Sequence, residues 1–208
     1  MVSLGVFYCM ELEFSRAVYH PDCKVAYLFE LIGEAPALIP VIYLGFLLAA
    51  AVFNRKWFKE NKKEQINVFL YVTLTVVATA VVTYALKNVW CRARPREILE
   101  GSGGYTPWYV WGNGGSSFPS GHASMSALSP LVADIADRYN VFKRKGVLRA
   151  LCYLFATFTC VSRVVVGAHF VSDVLCGALI ACVVRVVLKR LARACAHYAR
   201  LNSPNTVL

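Results

Sequence analysis

Three short clusters in this chain combine residue types that can do chemistry on a phosphate group. The first, "KNVWCRARP", places Lys87 ahead of Arg94 with six residues between them, and Pro95 following. On a helix that i, i+7 spacing returns both cations to roughly one face, two turns apart. Pro95 marks where the chain leaves the helix. The second, "PSGH", sets Pro119, Ser120, Gly121 and His122 at the head of an apolar run. Pro119 suits an early helical position. A helix start carries partial positive charge and unpaired N–H donors, which suit an anion. Gly121 lacks the Cβ that would hold the anion away, and His122 follows beside it. The third, "SRVVVGAHFVSD", contains Ser162, Arg163, His169 and Asp173. His169 and Asp173 stand at i, i+4 and share a face if both are helical. A carboxylate that accepts one ring proton fixes the tautomer and frees the other nitrogen. Arg163 offers a bidentate fork to phosphate oxygens.

Each cluster also has a plainer reading. Basic residues flank membrane spans as snorkelling anchors, and Ser120 is an ordinary N-cap with a histidine after it. His169 and Asp173 could be a buried ion pair, but an intramembrane carboxylate beside an imidazole is costly and by default functional. Taken together, the clusters supply several cations, a helix start, two imidazoles and an orienting carboxylate. That is a site for a tetrahedral dianion, with nucleophile and proton donor included.

The elements that must hold these groups are membrane helices. The chain has 208 residues, 58% of them hydrophobic and only 16% charged, with a mean hydropathy of +0.52. A soluble domain carries roughly a quarter charged residues. The expected fold is all-α: a polytopic transmembrane bundle with spans at about 35–53, 66–89, 122–136, 147–167 and 171–188. Residues 1–34 hold too many charges to span and are read as interfacial amphipathic helices, broken near His20-Pro21-Asp22. Residues 35–190 form the membrane domain and 191–208 a cytoplasmic basic tail. No secretory signal is visible at the N-terminus.

A net charge of +10 could suggest nucleic acid, but its distribution excludes that class. Arg55, Lys56, Lys59, Lys62 and Lys63 form one loop group; Arg138, Lys143, Arg144, Lys145 and Arg149 form a second. Arg185, Lys189, Arg190, Arg193 and Arg200 form a third, so fifteen of the 22 basic residues fall on one side of a five-span bundle. The positive-inside rule makes that side cytoplasmic. The three clusters then open outward. None of the eight cysteines forms a CxxC pair or a zinc-like cluster, so no metal is expected. A disulfide among Cys9, Cys23 and Cys91 is not expected either.

The ordered set "KNVWCRARP", "PSGH" and "SRVVVGAH" followed by Asp173 resembles the type 2 phosphatidic acid phosphatase superfamily of membrane lipid phosphatases. Every signature position is present, within a match running from about residue 35 to 190. The resemblance implies a two-step phosphoryl transfer without metal or cofactor. His169 would be the nucleophile and Asp173 would hold its ring. His122 would be the proton donor, and Lys87, Arg94, Ser120, Gly121 and Arg163 would bind the phosphate. Members commonly have six spans with both termini cytoplasmic, one more than the five expected here. The implied setting is a bacterial inner membrane with the site facing the periplasm.

By analogy, the substrate is a lipid phosphate held in the bilayer: undecaprenyl diphosphate, phosphatidylglycerophosphate, phosphatidic acid or a phosphate of lipid A. The loop "REILEGSGGYTPWYVWGNGGSSF" carries Tyr105, Trp108, Tyr109, Trp111 and Phe118, read as interfacial aromatics. Its glycines, among them Gly101, Gly112 and Gly114, suit a loop that flexes over the site. Two rivals stand beside the hydrolase: a phosphotransferase using the same phosphohistidine, and a non-catalytic lipid-binding or transport protein.

Overall fold

The computed structural model describes residues 2–111, 114–141 and 144–201. Gly112, Lys143 and residues 202–208 of the tail lie outside the described residues, as do the side chains of Cys9, Lys145 and Arg200. Among the described residues, all regular structure is helical. In a lipid environment this follows from the need to satisfy backbone N–H and C=O groups within each segment.

Helix α1 spans Val2–Val18 and α2 spans Lys24–Ile32, so the chain breaks between them across His20-Pro21-Asp22. A short 3-10 turn at Ala35–Leu38 leads into α3, Ile39–Phe53. Asn54 caps α4, Arg55–Trp90, by accepting from the Trp57 N–H at 3.4 Å. At 36 residues, α4 is about 54 Å long, well beyond a bilayer core of about 30 Å. Its lysine-rich first turns therefore project past the apolar slab. The remaining helices are α5 (Pro95–Leu99), α6 (Gly121–Ser126), α7 (Pro130–Arg138), α8 (Lys145–Val165) and α9 (Val171–Leu201). Helix α9 carries the chain eleven residues past the expected membrane boundary at 190 before residue 202.

Four segments are long and apolar enough to cross a membrane: Lys24–Phe53, Arg55–Leu99, Gly146–Val165 and Val171–Cys195. Four of the five expected spans fall within or largely within them. The exception is 122–136, which the structure divides into α6 and α7 with a turn at 127–129. Pro130 accounts for the division, since it opens α7 and cannot continue α6. This pair lies at the centre of the bundle. Met125, Leu128 and Leu131 pack with Tyr43 and Leu47 of α3, Val72 and Val76 of α4, and Ala181 of α9 in one buried cluster. Small residues let these helices approach, and the buried hydroxyls bond to backbone: Ser124 to the Gly121 carbonyl at 2.8 Å, Ser129 to the Cys152 carbonyl at 2.8 Å. Outward faces are apolar, as lipid contact requires; Val41, Val81, Leu151 and Leu179 are all more than half exposed.

The three basic groups meet at one end of the bundle. Arg138 bonds Glu64 at 2.7 Å, Arg149 bonds Asp137 at 2.6 Å, and Lys189 bonds Asp134 at 2.6 Å. Cys23 and Cys91 are free thiols.

Candidate active site

The first cluster is built differently from the helical spacing. Helix α4 ends at Trp90 because Cys91 turns left-handed, with φ 47°. The backbone of 91–92 then pairs with another segment: the Gly115 N–H donates to the Cys91 carbonyl at 2.9 Å, and the Ser117 N–H to the Arg92 carbonyl at 2.8 Å. Only glycine fits at 115, where a Cβ would stand 2.0 Å from the Arg92 carbonyl oxygen. Arg94 is thus the N-cap of α5, its N–H satisfied by Glu97 at 2.8 Å. Lys87 and Arg94 still converge, through Ser116. Lys87 Nζ donates to its carbonyl at 2.8 Å and Arg94 Nη2 to its hydroxyl at 3.2 Å.

In the second cluster, the helix begins at Gly121, so Pro119 precedes the cap and does not occupy the first turn. Ser120 is the N-cap, its hydroxyl accepting from the Ala123 N–H at 3.3 Å. The Ser120 N–H donates to the Asp173 carbonyl at 3.0 Å, which ties the start of α6 to the start of α9. The N–H groups of Gly121 and His122, in the first turn, have no partner within the helix. A Cβ on Gly121 would meet only Glu34, at 4.0 Å, so space is open there. His122 Nδ1 lies 3.3 Å from Glu34 Oε1.

The third cluster also departs from a continuous helix. Helix α8 stops at Val165, and the turn to α9 needs Gly167 at φ +65°, where a Cβ would meet the Tyr19 ring at 2.6 Å. His169 sits in this turn, before α9 starts at Val171. Asp173, in the first turn of α9, reaches back to the Phe170 N–H at 2.9 Å. His169 is buried, and its Nδ1 donates to the Ser117 carbonyl at 2.7 Å. A carbonyl can only accept, so Nδ1 carries the proton and Nε2 keeps its lone pair. Asp173 does not hold the ring directly, as the i, i+4 spacing suggests; its Oδ2 is 3.8 Å from Nδ1. It accepts the Ser117 hydroxyl at 2.5 Å instead, and so acts on the ring through Ser117. Burial pushes the His169 imidazole down to about 4, with Asp173 partly opposing the shift. The ring is neutral at neutral pH.

Sequence reasoning overlooked the strongest polar network in the protein. Arg92 is fully buried and uses all its donor groups: Nη1 to Asp173 Oδ1 at 2.5 Å and to Ser172 at 2.8 Å, Nη2 to Glu11 at 2.8 Å, and Nε to the Thr106 carbonyl at 2.7 Å. Glu11 also accepts from Tyr105 Oη at 3.0 Å and from the Ser172 N–H at 3.1 Å. The Arg92 guanidinium carbon stands 4.0 Å over the centre of the Phe170 ring. Nothing in the spacing distinguishes Arg92 from its neighbours Arg94 and Arg96. Glu11 reads as one more charge on an amphipathic helix.

Arg163 is the opposite case. It is 3% exposed, yet its Nε and Nη1 have no hydrogen-bond partner. Glu30 Oε2 lies 3.1 Å from Nη1 as an ion pair. Both imidazoles feel the charge of Arg163. His122 is pushed below its ordinary 6.5, first by burial and then by Arg163, with Glu34 opposing. Two carboxylates from the α2 region, Glu30 and Glu34, thus pair with Arg163 and His122. Of the aromatic loop, Trp108, Tyr109 and Trp111 are exposed, whereas Phe118 is buried against Trp90 and Tyr105 packs edge-on to Phe170 at 5.4 Å.

The three clusters therefore gather cations, two imidazoles and a carboxylate at one end of the bundle. The sequence over residues 68–196 matches the model of the PAP2 superfamily, and the chain belongs to that family. It is a phosphoric ester hydrolase of the membrane, a lipid phosphatase. Among solved structures, it is similar to a transmembrane PAP2-type phosphatidylglycerolphosphate phosphatase from Bacillus subtilis. That crystal structure is 23% identical, covers 93% of this chain and 96% of its own, and superposes with a TM-score of 0.47. No curated protein matches the chain.

Proposed function

We propose that the enzyme hydrolyses a lipid phosphate or diphosphate through a phosphohistidine on His169, at the outer face of a bacterial inner membrane. The observation that carries this reading is the commitment of Nδ1 to the Ser117 carbonyl, which leaves Nε2 as an unprotonated nucleophile. Arg163, its Nε buried without a hydrogen-bond partner and its Nη1 3.1 Å from Glu30, supplies the charge for the equatorial oxygens. Lys87, Arg94 and the Gly121 N–H complete the cradle, the Ser120 N–H being taken by the Asp173 carbonyl.

In the first step, Nε2 attacks phosphorus and the bond to the lipid oxygen breaks, with His122 giving its proton to the leaving oxygen. In the second, neutral His122 takes a proton from water as the water oxygen attacks phosphorus. The P–N bond breaks, inorganic phosphate leaves, and His169 is neutral again. Glu30 and Glu34 must yield their cationic partners to the incoming phosphate. Four substrates fit this chemistry: undecaprenyl diphosphate, phosphatidylglycerophosphate, phosphatidic acid and a lipid A phosphate. Purified protein assayed against these four tests the reading, with EDTA present and no added acceptor. Release of inorganic phosphate from at least one is expected. Phosphate transfer only when a lipid hydroxyl is supplied would favour the phosphotransferase.

The pH dependence has a definite sign. His169 must be neutral, so kcat/KM falls as pH drops through about 4. His122 must be protonated, and its ionisation lies below 6.5 in the free enzyme, so kcat/KM also falls as pH rises past that lowered value. A bound phosphate dianion offsets Arg163 and raises His122, which moves the alkaline limb of kcat upward from that of kcat/KM. Parallel pH profiles of the two constants check this. An alkaline limb of kcat/KM above pH 8 would remove His122 from the acid role.

A further inference from the structure

The basic end of the bundle contains a second polar site. A cleft of about 620 Å³ opens there between α4, α7, α8 and α9. Tyr71 and Lys87 are sixteen residues apart on α4, as are Asp173 and Lys189 on α9, which puts the cleft about 24 Å along the bundle from the catalytic cluster. Arg138, Arg149, Lys189 and Arg193 line it together with Asp134 and Asp137.

The internal ion pairs do not balance. Asp134 accepts from Arg185 at 2.8 Å and Lys189 at 2.6 Å, Asp137 from Arg149 at 2.6 Å, and Glu64 from Arg138 at 2.7 Å. With Arg193 included, five cations face three carboxylates among the described residues that line the cleft or bond to its lining. Arg149 Nε is buried with no hydrogen-bond partner. The unpaired member is the exposed Arg193, and Arg138 and Arg149 are themselves part-exposed, so the mouth of the cleft carries net positive charge. The surplus suits an anion. The volume falls within the range of about 300–1,000 Å³ that holds a small organic group. Exposed apolar side chains border it: Ile66 and Leu70 occupy the face of α4 next to the one carrying Asn67 and Tyr71, and Leu191 is 54% exposed beside Ala192. They offer a surface for acyl chains, which a free phosphate would not use.

We infer that this cleft binds the phosphodiester headgroup of an anionic phospholipid from the leaflet at the basic end of the bundle. Basic pockets between membrane helices at headgroup level have the chemistry for this. The ligand is a diester with no terminal phosphate, so it is held and not turned over.

The test uses the full chain purified in neutral detergent, with its melting temperature followed as dioleoylphosphatidylglycerol, dioleoylphosphatidylcholine or inorganic phosphate is added. Phosphatidylglycerol is expected to raise the melting temperature saturably, and the other two are not. Each cation removed should weaken half-saturation roughly fivefold, so Arg193→Gln loses about fivefold and Arg138→Gln/Arg193→Gln about thirtyfold. Arg193→Gln keeps the fold, since its side chain is exposed. Lys87→Ala, at the other end, should bind phosphatidylglycerol as the native chain does, which separates this cleft from the catalytic pocket. The inference is overturned if both variants bind like the native chain, if Lys87→Ala alone abolishes binding, or if phosphatidylcholine protects equally. Equal protection by inorganic phosphate at the same concentration overturns the lipid assignment.

Discussion

Replacing His169 with alanine is expected to lower kcat by on the order of 10⁴-fold or more, because it removes the atom to which phosphorus becomes bonded. The protein should still purify folded. The short hydrogen bond of the His169 ring is to the Ser117 carbonyl, at 2.7 Å, and losing a bond of that kind costs about 1 kcal/mol. Catalytic loss and structural loss are therefore separable here. Brief exposure to a substrate with a radiolabelled phosphate, followed by alkaline quench, should leave acid-labile label on the native chain and none on His169→Ala. Retained phosphate release by a well-folded His169→Ala would move the nucleophile elsewhere. His122→Ala should also be severely impaired, but a substrate with a good leaving group needs little proton donation and should recover part of the rate. That contrast between the two histidines distinguishes nucleophile from acid.

Arg92→Ala should have the largest effect on stability. Arg92 bonds Asp173, Ser172, Glu11 and the Thr106 carbonyl from a fully buried position. Truncation leaves two carboxylates buried without their cation, and breaking a buried pair this way costs about 3–5 kcal/mol. The loss should appear as a lowered melting temperature in detergent. Activity should fall too, since Asp173 holds Ser117, whose carbonyl fixes the His169 tautomer. Arg92→Lys retains the charge without the planar fork and should fall between the native chain and Arg92→Ala. Native stability in Arg92→Ala would mean that Glu11 and Asp173 are not held by this guanidinium.

The ionisable clusters were legible because phosphate chemistry demands cations, imidazoles and a carboxylate, and such residues are conspicuous in an apolar chain. The manner of their assembly was less so. Lys87 and Arg94 were read as sharing one helical face, and His169 and Asp173 as sharing another. In both cases the helix is interrupted at the site, at Cys91 and Gly167. The interruptions arise because backbone from the 115–117 segment inserts between the clusters, and a pairing across such a separation leaves no mark on local periodicity. The expected span at 122–136 is one helix in the sequence reading and two in the structure for a related reason: a segment surrounded by other helices tolerates serines and a central turn, because neighbouring backbone satisfies them.

By itself, the sequence determined the helical membrane class, the basic end of the bundle and the identity of the reactive groups. These are properties of composition and residue type, which act one residue at a time. Only the tertiary structure decided that the Ser117 carbonyl accepts from the His169 ring, that Arg92 and Glu11 anchor Asp173, and that Arg163 keeps a buried Nε without a hydrogen-bond partner. Each of these is a contact between residues dozens of positions apart, or a missing contact in a buried place, and burial is a property of the packed chain alone.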